Sequence, residues 1–390
     1  MSVARRSVAL LGATGSIGIQ TLDVLRREPE AFNLVAVAGG SRLVELAEIV
    51  KEFNVKMVGM AHDGDRAAMR ALVSSDVEVV TGPSGLAELA GRAEIVVNAV
   101  MGFAGLPVTM ATLEAGGRLC LANKESLIAA APLVQRVRFT PGATLLPIDS
   151  EHCAIHQCLA GSSTSPGHRD VAALWLTASG GPFRGWSSSQ LANATLADAL
   201  QHPTWTMGPK ITIDSSTLMN KGLEVLEASA LFGIEATRIK VVVHPQSVVH
   251  SMVEYVDGSV LAQLSRPDMR LPIAYCLGLP DRLSHAWGKM DFTSAMDLSF
   301  EPPDRVAFPA LDLAYRAADR AGAAPAWLSA ANEVAVAACL DGSLAWSEII
   351  PLVATVMDSY VDDPLDSLEA LMENDAAARR VASGILKLSS

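Results

Sequence analysis

The sequence predicts an α/β protein with three parts. An N-terminal Rossmann-like, doubly wound parallel sheet is followed by a central α+β domain and a small C-terminal helical bundle. The first prediction rests on short apolar runs that alternate with amphipathic segments over the first 150 residues. The second rests on two strand-like runs joined by Asp257-Gly258, a two-residue hairpin signal. The third rests on four helical patterns after Asp304.

The N-terminal sheet is predicted to have seven parallel strands, because strand-like and helical patterns alternate there. The apolar runs that predict these strands are Ser7–Leu11, Leu34–Ala38, Lys56–Met60, Val77–Val80, Ile95–Ala99, Leu119–Ala122 and Thr144–Ile148. In the central domain the predicted strands are Leu174–Thr177, Lys240–Val243, Val248–Val256 and Ser259–Leu264. The predicted bundle helices lie near Ala307–Arg320, Trp327–Leu340, Trp346–Tyr360 and Ser367–Lys387.

The domain organisation follows from these changes of pattern. The segment from Pro280 to about Pro303 has no clear period and is typical of a linker. We therefore predict one domain at residues 1–149, a second at 150–279, a linker at 280–303 and a helical domain at 304–390.

Composition narrows the class of protein. Half of the 390 residues are apolar and 18% are charged, which is typical of a well-packed enzyme. The net charge of −12 argues against nonspecific nucleic-acid binding, and an anionic substrate would need a locally basic pocket. No apolar run approaches the roughly 20 residues that cross a bilayer. Five cysteines without a C-x-x-C pair indicate reduced thiols, and we expect a cytoplasmic protein.

A glycine-rich segment, Gly12–Gly18, follows the first predicted strand and opens the first helix. Small residues allow the backbone to approach a pyrophosphate, and a helix start offers free N–H groups. The segment therefore predicts a dinucleotide site. After the second strand, Gly39-Gly40-Ser41-Arg42 contains no acid that would repel a 2′-phosphate, which favours NADP over NAD. The alternative is that Arg42 only begins a solvated helix.

Two carboxylates, Asp149 and Glu151, come directly after the last predicted parallel strand, with Ser150 between them. Ligand sites in open α/β sheets form at the carboxyl ends of strands, and hard oxygen ligands suit Mg²⁺ or Mn²⁺. The alternative is a helix N-cap, with Asp149 or Ser150 capping and Glu151 facing the helix dipole. This segment alone leaves both interpretations open.

A second polar cluster lies at Asp214–Glu224. It is expected to begin a helix that Ser215 or Ser216 caps, with Asn220 and Lys221 in its first turns. Hydroxyl, amide and ammonium groups at a helix start suit a phosphate.

A third carboxylate for the metal is predicted in the same helix. Glu224 lies one turn after Asn220 on the same face, so it could join Asp149 and Glu151. Glu227 lies one further turn along and is the competing choice.

Two further segments fit a substrate pocket. Ser179 stands beside a glycine turn, Gly180-Gly181. The segment from His202 to Lys210 is bounded by Pro and Gly and contains Trp205 and Met207, so it is expected to be a loop that packs or closes over the pocket.

Together these motifs resemble the 1-deoxy-D-xylulose 5-phosphate reductoisomerase family over nearly the whole chain. The segments that carry the resemblance are GATGSIG at Gly12–Gly18, LANKESL at Leu121–Leu127, IDSEHCAI at Ile148–Ile155, ASGGPF, the 27-residue run His202–Ala228 and the run His244–Met269. The central 27-residue run is far more specific than any single motif.

The resemblance implies a role for each matching residue. Asp149, Glu151 and Glu224 would hold the metal, and with Lys124 and His202 they would form the catalytic set. The substrate contacts would be Ser150, Glu151, Ser179, His202, Trp205, Met207, Ser215, Asn220, Lys221 and Glu224. The cofactor contacts would be Thr14, Gly15, Ser16, Ile17, Gly39, Gly40, Ser41, Asn123, Lys124, Glu125 and Gly208. Some members carry Lys-Asn where this chain has Gly40-Ser41, so the 2′-phosphate contacts depart from that pattern.

The implied activity is NADPH- and metal-dependent isomerisation and reduction of 1-deoxy-D-xylulose 5-phosphate to 2-C-methyl-D-erythritol 4-phosphate, a step of isoprenoid biosynthesis. The metal would be Mn²⁺ or Mg²⁺. The family also implies a homodimer that binds a phosphorylated small molecule and has no nucleic-acid or membrane partner. The alternatives are a semialdehyde dehydrogenase with Cys153 as nucleophile and a non-catalytic NADP-binding regulator.

Overall fold

The structure is a computed structural model that describes residues 5–160, 168–205, 207–363 and 365–389, with backbone alone for the last two. These residues form two compact units. One unit contains residues 5–126, 134–153 and 268–289, and the other contains the described parts of 127–133, 154–267 and 290–389. The predicted linear division into three domains and a linker stays a prediction.

Eleven strands are present in the part of the chain that the structure describes, and each was predicted from the sequence to within three residues. Their bounds are β1 Arg6–Leu11, β2 Phe32–Gly39, β3 Met57–Met60, β4 Glu78–Thr81, β5 Ile95–Asn98, β6 Arg118–Leu121, β7 Thr144–Pro147, β8 Val171–Ala178, β9 Ile239–Val243, β10 Val249–Tyr255 and β11 Val260–Leu264.

Sixteen α-helices lie within the described ranges. They are α1 Ser16–Arg27, α2 Leu43–Glu52, α3 Arg66–Leu72, α4 Gly82–Ala90, α5 Leu106–Glu114, α6 Lys124–Val137, α7 Ser150–Ala160, α8 Ser188–Leu191, α9 Leu196–Ala199, α10 Pro209–Ser216, α11 Met219–Phe232, α12 Arg270–Gly278, α13 Ala310–Arg320, α14 Ala324–Leu340, α15 Ile349–Ser359 and α16 Leu368–Ser389. The last four are the predicted bundle helices.

The first unit is built on a seven-stranded sheet in the order β4-β3-β2-β1-β5-β6-β7. Every neighbouring pair is parallel. The chain leaves β1 in one direction to β2 and returns on its other side at β5, so the sheet is doubly wound and its switch point lies between β1 and β5. Ligands bind at such a switch point, beyond the carboxyl ends of the strands.

The core of the first unit consists of the inward side chains of these strands and of the helices that cover them. Val8, Leu10, Val37, Val58 and Val97 are fully buried, as is expected for strands covered on both faces. α12, from much later in the chain, adds Ile273 and Leu277 to the same core.

The second unit contains a four-stranded mixed sheet in the order β11-β10-β8-β9. β10 and β11 form the antiparallel hairpin predicted from Asp257-Gly258, and Gly258 has the positive φ of 86° that such a turn requires. β8 pairs with β10 antiparallel and with β9 parallel. β11 is therefore an edge strand of this sheet.

Among the described helices, none is at once long enough and apolar enough to span a bilayer.

Candidate active site

The glycine-rich turn after β1 is tightly packed. Gly12 has φ +85°, and an added Cβ would lie 2.3 Å from the carbonyl oxygen of Ala99, just beyond β5. A Cβ on Gly18 would lie 2.3 Å from the carbonyl oxygen of Gly12. No side chain larger than a hydrogen atom fits at either position unless the backbone moves. These two glycines therefore fix the spacing between β1, β5 and α1.

The start of α1 is open at this turn. α1 begins at Ser16 with Gly15 as its N-cap, and within the described residues no side chain caps it. Thr14 is buried, Gly15 and Ile17 are half-buried, and Ser16 is exposed. A helix start with uncapped N–H groups beside a glycine turn can accept a pyrophosphate.

Arg42 links the end of β2 to this turn. It is the N-cap residue of α2, and its guanidinium donates a hydrogen bond to the carbonyl oxygen of Thr14. Gly39 is half-buried, whereas Gly40, Ser41 and Arg42 are exposed. Arg42 does stand at the start of an exposed helix, as the alternative interpretation has it. Its guanidinium nevertheless also lies at the mouth of the glycine turn.

Asn123 is the N-cap of α6, at the end of β6. Its side-chain oxygen accepts a hydrogen bond from the Ser126 N–H at 2.8 Å, and its amide nitrogen donates to the Gly102 carbonyl at 2.6 Å. Asn123 is 2% exposed. These contacts fix the start of α6, where Lys124 is buried and Glu125 half-buried.

Asp149 lies just beyond β7 and uses both carboxylate oxygens. Oδ1 accepts the backbone N–H of Glu151 at 3.1 Å and lies 2.9 Å from Nδ1 of His152, while Oδ2 lies 2.8 Å from the Lys124 ammonium. Asp149 thus does accept a backbone N–H at the start of α7, as the N-cap alternative has it. This contact leaves Asp149 beside the candidate catalytic lysine, in the same unit.

Ser150 and Glu151 form the first turn of α7. The Ser150 hydroxyl donates to a Glu151 carboxylate oxygen at 2.5 Å, and both residues are half-buried. Two carboxylates, one ammonium and one hydroxyl therefore occupy the carboxyl end of β6 and β7.

In the second unit, Ser179 and His202 lie together. The Ser179 hydroxyl is 3.0 Å from Nε2 of His202 and accepts the Gly181 N–H at 3.2 Å. Nδ1 of His202 accepts the backbone N–H groups of Thr204 and Trp205. Because Nδ1 is an acceptor, the neutral ring carries its proton on Nε2 and donates to Ser179. Burial lowers the pKa of His202, which favours this neutral form.

The segment after His202 is only partly the loop that was predicted. Trp205 and Met207 are half-buried, and Gly208 is the exposed N-cap of α10. Pro209 and Lys210 already belong to α10, since proline is favoured in the first turn of a helix.

The prediction that Ser215 or Ser216 caps a helix is wrong. Both residues end α10, and a new helix, α11, begins at Met219. The break is at Leu218, which has the left-handed φ of 62° and is 4% exposed. This conformation costs a residue with a side chain about 1–2 kcal/mol, and strained backbone of this kind is typical of functional sites.

The first turns of α11 carry the polar residues that were predicted there. Asn220 donates to Glu224 at 2.6 Å, and the Lys221 ammonium pairs with the other Glu224 oxygen. Glu224 and Glu227 are each 1% exposed. Burying a carboxylate is costly unless it is hydrogen-bonded, and Asn220 and Lys221 supply those bonds to Glu224.

Two segments of the second unit, here called the serine segments, are in contact: the turn that begins at Ser179 and the end of α10 that carries Ser215. A Cβ on Gly181, which has φ +67°, would lie 2.6 Å from the Ser215 carbonyl oxygen. The turn that carries Ser179 therefore lies against the end of α10. Asn220 and Lys221 follow shortly after in the chain, just beyond the break at Leu218. The structure thus assembles two sets of predicted residues, each within its own unit.

Cys153 has no place in a nucleophilic site. It is 1% exposed and lies in the core of the first unit. A catalytic thiol needs access to its substrate, and a side chain buried in this core has none.

Sequence reasoning missed two residues around these sets. Asn332 of α14 donates to the Asp214 carboxylate at 2.7 Å, and the Trp346 indole donates to the Ser216 hydroxyl at 2.7 Å. These partners lie 118 and 130 positions apart. No local pattern of residues could have signalled such pairs.

Comparison with known proteins identifies the family. Family models described as 1-deoxy-D-xylulose 5-phosphate reductoisomerase match residues 8–131, and models of its C-terminal domains match residues 145–232 and 264–381. The reductoisomerase of Beutenbergia cavernae is 51% identical over 381 residues, covering 96% of this chain and 95% of that protein. The chain belongs to the 1-deoxy-D-xylulose 5-phosphate reductoisomerase family.

Solved structures agree with this membership. The Zymomonas mobilis reductoisomerase in complex with NADPH is 41% identical, with a TM-score of 0.90 and coverage of 98% of this chain and 99% of that one. A reductoisomerase in complex with NADPH, fosmidomycin and magnesium is 40% identical, with a TM-score of 0.91 and 98% coverage of both chains. The predicted family, the α/β fold class and the oxidoreductase class are confirmed, and the two alternative functions have no support.

Proposed function

We propose that this chain converts 1-deoxy-D-xylulose 5-phosphate to 2-C-methyl-D-erythritol 4-phosphate, with NADPH and a divalent metal ion, as a step of isoprenoid biosynthesis. The observation that carries the proposal is the full-length match to the reductoisomerase family, at 51% identity to one member. The side-chain chemistry of the two residue sets supports it, because carboxylates, ammonium groups and hydroxyls are what a chelated, phosphorylated sugar needs.

The glycine turn fits the pyrophosphate of NADPH, which supplies a hydride when bound. Thr14, Gly15, Ser16 and Ile17 would hold the pyrophosphate at the uncapped start of α1. Gly39, Gly40 and Ser41 would line the ribose end, with Asn123, Lys124, Glu125 and Gly208 as further contacts. Arg42 is our choice for the 2′-phosphate, because its guanidinium is at the mouth of the turn.

The donor set fits a divalent cation, which acts as a Lewis acid on the substrate oxygens when bound. We assign Asp149, Glu151 and Glu224 as the ligands, and Mg²⁺ or Mn²⁺ as the ion, because carboxylate oxygens suit both. Asp149 and Glu224 have side chains that are 13% and 1% exposed, so little water competes for their oxygens. Lys124, which donates to Asp149, would hold a proton near the reacting oxygens.

The substrate phosphate would be bound by Ser179, Ser215, Asn220 and Lys221. Their hydroxyl, amide and ammonium groups are phosphate donors, and the contact between Gly181 and Ser215 supports a common site. Ser150 and His202 would contact the substrate hydroxyls, while Trp205 and Met207 would exclude water. A phosphate held far from the reacting carbons supplies binding energy that can be used to orient them.

A homodimer is also proposed, formed through the edge strand β11. Val260, Leu261 and Leu264 of this strand are 50%, 43% and 36% exposed. An apolar edge strand presents backbone groups that can pair with an identical strand, and a two-fold axis makes such a contact self-complementary. We therefore propose a second copy of this chain as the occupant of the edge.

The test of the activity is a spectrophotometric assay of NADPH oxidation with deoxyxylulose phosphate, with and without Mn²⁺ or Mg²⁺. We expect oxidation that requires both the sugar phosphate and the metal ion. Full turnover after EDTA treatment would contradict the metal site, and oxidation without the sugar phosphate would contradict the substrate.

A further inference from the structure

Trp346 lies in the C-terminal helical region, where it contacts both serine segments of the second unit. It begins a short 3-10 turn, Trp346–Glu348, just before α15, and it is 8% exposed. Its indole N–H donates to the Ser216 hydroxyl at 2.7 Å. Its ring packs edge-to-face against Phe183, with the ring centroids 4.5 Å apart.

Each of these contacts is next to a residue that we assign to the substrate phosphate. Ser216 directly follows Ser215 at the end of α10. Phe183 is fully buried and follows the glycine turn that begins at Ser179. One side chain therefore touches both chain segments that supply phosphate-binding hydroxyls.

A second buried bond reaches the same helix end from the same region. Asn332 of α14 is 0% exposed and donates to Asp214 at 2.7 Å, and Asp214 is also paired with Lys210 at 2.8 Å. Ser215 is thus flanked by two buried hydrogen bonds, one at Asp214 and one at Ser216. A residue whose two neighbours are both bonded to a packed element loses much of its freedom to move.

The strained backbone nearby explains why such bonds are needed. Leu218 is left-handed, and strain of this kind persists only where the surrounding contacts over-determine the backbone. Positioning groups must be held to within about 0.5 Å by the packing around them.

We infer that Trp346 is a positioning residue for the substrate phosphate, because it holds the Ser179 turn and the Ser215 helix end at a fixed separation. This inference rests on the proposed function. It assigns to the helical region a role in substrate binding in addition to its role in stability.

The experiment compares matched tryptophans of the same region. Trp327 of α14 is also buried, at 7% exposure, but its indole donates to Asn374 of α16 at 2.8 Å and not to a residue of either serine segment. Trp346→Ala and Trp327→Ala are made together with the milder Trp346→Phe and Trp327→Phe, which keep one aromatic ring but lose the indole N–H and part of the ring volume. The readouts are kcat, the KM for deoxyxylulose phosphate, the inhibition constant of inorganic phosphate, the Kd for NADPH and the Tm.

For Trp346→Ala we expect the KM and the phosphate inhibition constant to rise about tenfold, since misplacement of a binding group is costly. Trp346→Phe should raise them about two- to threefold, because it loses one hydrogen bond. The kcat and the Kd for NADPH should change little. Both Trp327 variants should lower the Tm and leave the KM unchanged.

Three outcomes overturn the inference, and Ser215→Ala separates the first two. If Ser215→Ala raises the KM while the Trp346 variants lower only the Tm, Trp346 has a structural role alone and the proposed function stands. If Ser215→Ala leaves the KM and the phosphate inhibition constant unchanged, the assigned phosphate site is wrong and the inference fails with it. Equal KM changes in the Trp327 and Trp346 variants would also overturn it.

Discussion

The Lys221 ammonium and the Glu224 carboxylate form a buried ion pair within one turn of α11, with side chains that are 5% and 1% exposed. The two residues are assigned to different ligands, Lys221 to the substrate phosphate and Glu224 to the metal. In the proposed site, one helical turn would therefore couple the remote phosphate group to the reacting end of the substrate. Removing the charge of Glu224 therefore tests the proposed metal site directly.

Glu224→Gln should lower kcat on the order of 10²–10³-fold, as removal of a key electrostatic group commonly does. Gln keeps the size of the side chain and can still accept a bond from Lys221, so the fold should persist. Steady-state kinetics and circular dichroism would check both parts. Glu227→Gln is the matched control on the same helix. A mild effect at position 224 and a severe one at 227 would move the ligand role to Glu227.

Arg42→Ala should weaken NADPH binding about 10- to 100-fold, the loss expected for a charge-assisted bond to a phosphate. NADH lacks the 2′-phosphate, so its affinity should not change. Titration of NADPH fluorescence measures both constants without substrate or metal. Arg92→Ala, an exposed arginine paired with Glu88 at 2.8 Å, is the control. Equal losses for NADPH and NADH would show that Arg42 supports the turn and does not select the cofactor.

The KM for the sugar phosphate should rise as the pH falls below about 6.5. Burial lowers the pKa of His202 from its ordinary value of 6.5. A His202 ring that has lost its contacts with Ser179, Thr204 and Trp205 takes up a proton at the ordinary pKa, so these contacts are progressively lost as the pH falls from the ordinary toward the lowered pKa. Protonation of Nδ1 also removes the acceptor for Thr204 and Trp205.

His202→Asn is the control for that pH dependence. Its side-chain oxygen can replace Nδ1 as an acceptor but does not titrate. The KM of this variant should therefore be higher than that of the wild type at neutral pH and should rise less as the pH falls. An unchanged pH profile in this variant would assign the rise to another group.

Replacement of Val260 and Leu261 by Lys should convert the proposed dimer to a monomer, because charges on an edge strand oppose strand pairing. Light scattering after size-exclusion chromatography gives the mass directly. Val306, which is 93% exposed and lies outside the sheet, provides the control when it is replaced by Lys. A wild-type chain that elutes as a monomer at all concentrations would refute the edge as a dimer contact.

Cys153→Ala should retain kcat within about twofold, since the thiol is buried and takes no part in the assigned chemistry. A small loss of Tm is expected from the lost packing. The same NADPH oxidation assay and a thermal melt are sufficient to test this.

The sequence was enough to predict the elements that depend on local pattern. The seven parallel strands and the β10–β11 hairpin follow from apolar periodicity and from Asp257-Gly258. The break between α10 and α11 could not be predicted, because the left-handed φ of Leu218 has no signal in the local sequence. The bond between Asn332 and Asp214 joins residues far apart in the chain, so only the folded structure reveals it.

The close approach of Gly12, Gly18 and Ala99 has an evolutionary consequence. An added methyl group at Gly12 or Gly18 would lie 2.3 Å from a carbonyl oxygen, so neither position can change alone. The clashing atoms belong to the backbone, so replacing a neighbouring side chain would not make room, and the nucleotide-binding turn could diverge only together with a shift of the backbone. Lineages of this enzyme should therefore vary at their exposed helices long before they vary at this turn.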